Sequence, residues 1–259
     1  MTSDLDNLRV VLVATRNPLN IGAAARAMSN FGVRRLRVVN PYEVAFREAR
    51  SAVGAAAVLA KAEEYTSVAE AVADCRLVVG TTAAGRRELQ HRLLRLDDGA
   101  RLIKRQLKTG PVALLFGSER VGLSNQELSH CHWVTRIPTR EEHGSMNLGQ
   151  AVAVCLYELV RGQKTTSAKT APGKKEETST SGDVERLTQT LLEVLRASGY
   201  VKPRAVVAEE RLRRLVRRME LNANDAAVWL GMLRQMAWKL GLDDGTEKNA
   251  PGKRGKNAE

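Results

Sequence analysis

Three loop-like stretches carry the residues whose types and spacing bear on chemistry. The first is residues 14–26, ATRNPLNIGAAAR. Asn20-Ile21-Gly22 opens a helix whose next residues are Ala23-Ala24-Ala25, small enough for another backbone to approach closely. Arg26 follows one turn on, within reach of a phosphate or a hydroxyl. A tight turn, a small-residue helix and a solvated arginine would account for the same letters. The second is residues 116–123, FGSERVGL. Gly117 permits a close ligand, Glu119 stands at the exit of an apolar run, and Gly122 reverses the chain. A glycine-bounded turn with an exposed Glu-Arg pair is the plainer alternative. The third is residues 137–150, IPTREEHGSMNLGQ, running into the most regular helical pattern in the chain. Ser145 or Asn147 would cap that helix, and Gly144 beside them favours a pocket lined by free backbone N–H groups. Capping alone needs only one of these residues.

Other chemistries lack their residues. No G-x-G-x-x-G joins the first strand to the first helix, which disfavours a nicotinamide enzyme, and no G-x-x-x-x-G-K-[ST] is present. No G-x-S-x-G supports a serine hydrolase. His130-Cys131-His132 has no partner pair at ligand spacing, and a strand would turn these neighbours to opposite faces, so no metal is expected. His143 is a lone loop histidine, an acid–base candidate or simply solvated.

These loops need a scaffold to position them. Residues 9–14, 36–39, 76–80, 112–116 and 133–137 are short β-branched, largely apolar runs, as expected of parallel strands covered on both faces. Between them lie helical patterns at 21–31, 100–107 and 148–161. In the last, Leu148, Ala151, Val152, Cys155, Leu156 and Leu159 form one stripe. The alternation predicts an α/β domain with a mainly parallel sheet over residues 1–162. Residues 163–182 are rich in Thr, Ser, Lys and Glu, a linker composition. Three helices follow over 183–243. Asp183 is the expected N-cap of the first, with Val184, Leu187, Leu191 and Leu195 on one face. In the second, Leu212, Leu215 and Met219 share one side and arginines the other. In the third, Ala226, Trp229, Leu230, Leu233 and Ala237 are expected to face inward. Residues 244–259 are polar and predicted to be disordered.

Composition narrows the partner. Hydrophobic residues are 43% and charged residues 27%, enough for a packed core. No run is long enough to span a bilayer, and the first eight residues lack a secretory pattern, so neither membrane nor export is expected. Three scattered cysteines fit a reducing cytoplasm. Lys plus Arg number 41 against 29 acidic residues, a net +12 that favours a polyanion, nucleic acid first. Only 4% aromatic residues argue against extensive base stacking.

Taken in order, Asn20-Ile21-Gly22-Ala23-Ala24-Ala25-Arg26, Phe116-Gly117-Ser118-Glu119-Arg120-Val121-Gly122-Leu123, and Ile137-Pro138 leading to Ser145-Met146-Asn147 resemble the three motifs of the SPOUT class of RNA ribose 2′-O-methyltransferases. Within that class the chain is most similar to the TrmJ branch of the TrmH-like family, over roughly residues 5–162 and 183–242. Met146 departs from the leucine usual in the third motif, an apolar change of similar volume.

The resemblance implies an α/β domain with a C-terminal trefoil knot, an exception to unthreaded connections. It implies S-adenosylmethionine bound by Thr81, Thr82, Ala83, Gly117, Ser118, Glu119, Ile137, Gly144, Ser145 and Met146. It implies a homodimer with active sites at the subunit interface, and no metal in the transfer. Arg26 would be catalytic, with Asn20, Glu119, Ser145 and Asn147 positioning it, the hydroxyl or the cofactor. Arginine stays protonated at neutral pH, so its expected role is to grip the target phosphate and stabilise a developing alkoxide. The branch implies tRNA methylated on the ribose of nucleotide 32, giving Cm or Um, with no DNA partner. Arg211, Arg213, Arg214, Arg217 and Arg218 would then hold the tRNA backbone, although a solvated helix face explains them too. A ribosomal RNA 2′-O-methyltransferase of the same class, and a catalytically silent RNA-binding protein on this scaffold, are the alternatives.

Overall fold

In a computed structural model, residues 4–41, 56–83, 89–140, 142, 144–161, 178–202 and 206–242 are described. The run LRVVLV forms β1 (Leu8–Val13), buried at every position. Its alternate side chains serve two cores: Val10 and Leu12 join one apolar cluster, Val11 and Val13 the other. A strand that must satisfy both faces is largely apolar, and the exception, Arg9, is buried with its Nη1 donating to Asp6 O at 2.8 Å.

Around β1 lie β2 (Arg35–Val39), β3 (Glu63–Tyr65), β4 (Leu77–Thr81), β5 (Leu93–Arg95), β6 (Val112–Phe116) and β7 (Trp133–Arg136). Their order is β3-β2-β1-β6-β4-β7-β5, and every pairing is parallel. One face carries α1 (Pro18–Asn30), α4 (Leu96–Leu107) and α6 (Leu148–Val160). The other carries α3 (Val68–Ala71) and α5 (Asn125–Leu128). A short α2 (Ala56–Ala60) packs beside α1 and β2. The expected parallel α/β sheet is present. The edge strands β3 and β5 were not anticipated, because three residues are too few to show a period.

The C-terminal part folds as α7 (Ser181–Ala197), α8 (Val206–Arg218) and α9 (Ala223–Lys239). Asp183 does not cap α7. Thr180 does, with Asp183 completing a capping box from the N3 position. The tail end of the expected linker is also ordered: Thr178 bridges Asn222, and the Ser179 hydroxyl donates to Leu221 O at 2.7 Å. Ser181 N–H donates to Cys75 O at 2.7 Å, and Gly182 N–H to Ala73 O at 2.9 Å, tying α7 to the sheet. Polar composition concealed this because backbone groups make the joins. Residues 163–177, expected as linker, His143, and residues 244–259, expected as tail, lie outside the described residues.

Candidate active site

The carboxyl edge of a parallel sheet is where its loops can meet around a ligand. Here the loops after β4, β6 and β7 enclose a cavity of about 340 Å³. Thr81, Thr82, Ala83, Gly117, Ser118, Glu119, Ile137, Gly144, Ser145 and Met146, all singled out from the sequence, line it. Leu128, Thr135 and Thr139 line it as well and were missed. Thr135 sits inside β7, where only its place in the alternation could have signalled that it faces the site.

Each loop is held open by local contacts. Gly122 N–H donates to Ser118 O at 2.8 Å, closing a turn in which Gly122 has φ +69°. Within that turn Gly117 has no space for a side chain, since a Cβ there would fall 2.1 Å from the Gly122 carbonyl carbon. The Thr81 hydroxyl donates to Leu115 O at 2.8 Å, fixing the exit of β4 against β6. Thr139 Oγ1 donates to Gly144 O at 3.3 Å and gathers in the third loop.

The three motifs are joined by side chains. Asn147 caps α6, accepting from Gly149 N–H at 3.0 Å and Gln150 N–H at 3.3 Å through Oδ1. Its Nδ2 donates to Asn20 Oδ1 at 2.8 Å, and Asn20 Nδ2 donates to Glu119 Oε1 at 3.0 Å. Asn20 lies in the first turn of α1, which starts at Pro18 with Asn17 as cap, two residues earlier than the sequence pattern placed it. α1 runs along α6 so closely that a Cβ on Gly149 would meet Ala23 Cβ at 2.5 Å. Small residues there let the first and third loops converge.

Arg26 is exposed, one and a half turns or so beyond Asn20, which is about 9 Å along the helix axis. It does not line the cavity and has no hydrogen-bond or ionic partner among the described residues. The cavity and Arg26 are thus separate features of one chain: a walled pocket, and a free cation beyond its rim.

The basic helix differs from expectation. Arg213, Arg214 and Arg217 on α8 are buried, with Arg217 only 3% exposed. Arg213 Nε donates to Glu185 at 3.1 Å and its Nη1 to Ser129 Oγ at 3.2 Å. Arg217 reaches the same carboxylate at 3.5 Å, and Arg214 faces Glu210 at 3.6 Å. The half-buried Glu185 on α7 draws Arg213 and Arg217 inward, and Arg214 turns to Glu210, so these three guanidinium groups are occupied within the fold. Leu215 and Met219 are exposed instead of forming the inner face. Arg211 and Arg218 remain exposed. His130 belongs to this seam, not to a metal site. Burial and the Arg217 charge hold its imidazole far below the usual histidine range, and Glu185 lies 3.7 Å away. His132 Nδ1 accepts from Val78 N–H at 3.1 Å. Among the described residues, no cluster of His, Cys, Asp and Glu could hold a metal ion, and no helix is long and apolar enough to cross a membrane.

Comparison with known proteins bears on what this pocket serves. A model of the SpoU rRNA methylase family matches residues 7–157. The TrmJ tRNA (cytidine/uridine-2′-O-)-methyltransferase of Yersinia pestis (strain Pestoides F) is 37% identical over 236 residues, spanning 88% of this chain and 91% of its own. The protein of that name from Sodalis glossinidius is 35% identical over 234 residues, 88% and 91% of the two lengths. The crystal structure of TrmJ from Z. mobilis ZM4 superposes with a TM-score of 0.77 at 31% identity, covering 88% of this chain and 98% of that one. With the second and third motif loops lining one cavity, the first tied to both through Asn20, and a match that runs through both halves, the chain belongs to the SpoU rRNA methylase family, on its TrmJ branch.

Proposed function

We propose that this protein transfers the methyl group of S-adenosylmethionine to the ribose 2′-hydroxyl of tRNA nucleotide 32, giving Cm or Um. The observation that carries the reading is the cavity at the carboxyl edge of the sheet, with the three motifs tied together beside it through Asn147, Asn20 and Glu119. Its walls suit the cofactor. Phe116, Leu123, Leu128, Ile137 and Met146 offer apolar surface for an adenine ring, while the hydroxyls of Ser118 and Ser145 and the Glu119 carboxylate offer partners for ribose and amine. The cofactor's sulfonium supplies an already activated methyl group, so the protein's work is alignment and help with the hydroxyl proton.

The chain's own residues divide that work. Asn147 and Asn20 hold the first and third loops in register, and Glu119 fixes the second loop to both. Ser145 stands at the cavity mouth beside them. Arg26, exposed and without an ionic partner among the described residues, grips the target phosphate and stabilises the alkoxide as it forms. Its distance from the cavity lining within one chain supports a homodimer in which the site is completed at the subunit interface. The return of β7 between β4 and β5, with the third loop packed beside the second, supports the C-terminal knot. We divide the chain into a methyltransferase domain over residues 1–162, a linker, and a C-terminal helical unit, and assign it to the cytoplasm, where tRNA is its substrate. Arg211 and Arg218 are the surviving basic contacts for tRNA on α8.

The experiment is methyl transfer from labelled S-adenosylmethionine to total tRNA, followed by nucleoside analysis. Cm or Um in the anticodon loop is the expected product. Incorporation into ribosomal RNA alone would move the target, and silence on both with cofactor still bound would leave a binding protein. Arg26→Ala should abolish transfer and leave S-adenosylhomocysteine affinity nearly intact; a strong loss of cofactor binding would refute the role given to Arg26.

A further inference from the structure

The run through His130-Cys131-His132 has no part in the motif loops, yet Leu128, Ser129, His130 and Cys131 are all buried. It follows α5, four residues long and too short to hold itself as a helix. Both ends of α5 are tied instead. At the start, Ser124 and Glu127 form a reciprocal capping box. At the end, the Ser129 hydroxyl donates to Gln126 O at 2.6 Å. That uses its one proton and leaves the oxygen as an acceptor, which Nη1 of Arg213 on α8 fills at 3.2 Å. The contact is buried and joins positions 84 residues apart. Arg214 faces Glu210 and Arg217 reaches Glu185, whereas Arg213 spans both Glu185 and Ser129.

The end of α5 also borders the cavity, because Leu128 lines it. Behind Leu128 stands β4: a Cβ on Gly80 would lie 3.0 Å from Leu128 Cδ2 and 3.0 Å from Cys131 Sγ. β4 ends at Thr81, and Thr81 and Thr82 line the same cavity. Leu128 is therefore held between the sheet and the open space, and a shift at the end of α5 must move its side chain along the cavity wall. Interiors packed this closely transmit displacement. We propose that Arg213 is a positioning residue for the cofactor pocket, acting through Ser129 to set Leu128, so that docking of α8 completes the S-adenosylmethionine site. This rests on the methyl-transfer reading and adds to it a dependence of cofactor affinity on a residue outside the three motifs. A guanidinium suits the task, since its planar fork holds the carboxylate with one nitrogen and the hydroxyl with another. Lysine would keep a charge opposite Glu185 and lose the second, fixed donor.

Calorimetric titration of the full-length chain with S-adenosylhomocysteine, well below the unfolding temperature of each variant, measures the effect. Arg213→Lys and Ser129→Ala should each weaken binding about tenfold. In methyl transfer, KM for S-adenosylmethionine should rise by a similar factor while kcat changes less than about twofold. A general loss of folded protein would lower the apparent kcat instead. Leu128→Ala should weaken binding too. Adding Arg213→Lys to Leu128→Ala or to Ser129→Ala should cost no more than about twofold further, because the route is already cut. Unchanged affinity in Arg213→Lys and Ser129→Ala, with the wild type binding, would overturn the proposal and leave the methyl-transfer reading standing. So would losses that simply multiply in the double variants. A wild-type chain that bound no S-adenosylhomocysteine would overturn both.

Discussion

Around Asn20 and Asn147 the polar side chains stand at the edge of water, and each is held by its own short hydrogen bonds. Beneath α8 the same kinds of group are buried, and several atoms have no hydrogen-bond partner among the described residues: Nε and Nη1 of Arg217, and Nδ1 of His130. Both regions join distant parts of the sequence. At the sheet edge the join leaves donors and acceptors accessible, so a substrate can displace or extend them at little cost. In the seam the join consumes them, and any uncompensated charge is expensive to keep. Arginine illustrates the difference: Arg26 is available to a phosphate, whereas Arg217 is already committed to the fold.

The sharpest break of this contrast is to remove the counter-charge of the seam. Glu185 accepts from Arg213, lies within ion-pairing distance of Arg217 and His130, and accepts from Gln189 Nε2 at 2.9 Å. Glu185→Ala would strand two buried guanidinium groups and should lower stability by about 3–5 kcal/mol, as removal of one partner from a buried ion pair does. Glu119→Ala, at the exposed site, should change stability by less than about 1 kcal/mol. Urea unfolding of both variants compares the regions directly. A small effect at Glu185 would mean that water already reaches the seam.

A second test enters the pocket itself. The 2.1 Å approach at Gly117 is to backbone, which cannot rotate away, so Gly117→Ala must rebuild the turn that carries Glu119. We expect S-adenosylhomocysteine binding to weaken by about a hundredfold, equivalent to about 2.7 kcal/mol, with little loss of stability because the turn is exposed. Calorimetric titration measures it; unchanged affinity would separate this turn from the cofactor.

The two regions were unequally legible in the sequence. The loops could be read because their residues are local: FGSERVGL contains its own turn, its own glycines and its own carboxylate. The strands were legible because β1, β4 and β6 are mostly apolar on both faces. The arginines of α8 misled because charge is normally a sign of exposure, and nothing near them in the sequence shows the half-buried Glu185 that reverses it, 28 residues from Arg213. Leu215, Met219 and Trp229 misled in the opposite sense. Their helical spacing marks an apolar face, but periodicity alone does not say which side of a helix the rest of the chain will cover. Asp183 shows a smaller limit, since an acidic residue near a helix start serves equally as cap or as the N3 half of a capping box.

Acid sharpens the comparison with a smaller effect. Burial, with Arg214 nearby, pushes His91 down to about 4, and burial with Arg217 lowers His130. Both imidazoles are therefore neutral in the fold but would take up protons in the unfolded chain below about pH 6.5. The unfolded state binds more protons, so stability falls as pH drops from about 6.5 towards 4. Glu185 adds to the loss at the acid end. Burial opposes its ionisation, but the hydrogen bond and charge of Arg213 prevail and hold its carboxyl below the usual range. Going from pH 7 to 5 should cost about 2 kcal/mol from His130 and a smaller amount from the more open His91 in urea unfolding. His130→Asn should reduce that pH dependence, and an unaltered slope would take His130 out of the linkage.

The smallest expected effect probes the sheet edge, where it discriminates best. Asn20 works because it is two-sided: its Oδ1 accepts from Asn147 while its Nδ2 donates to Glu119. Asn20→Asp keeps the acceptor and turns the donor into a second carboxylate oxygen facing Glu119 at hydrogen-bond distance. Asn20→Ala removes both partners without adding charge. If the chain of three side chains sets the position of the second loop, Asp should be worse than Ala despite its closer shape, by about 0.5–1 kcal/mol in stability and several-fold in the rate of methyl transfer. The deficit of Asp should shrink in high salt, which screens exposed charges. Equal behaviour of the two variants would mean that Asn20 and Glu119 meet without holding the loop. In that case the convergence of the three motifs would rest on the packing of α1 against α6 alone.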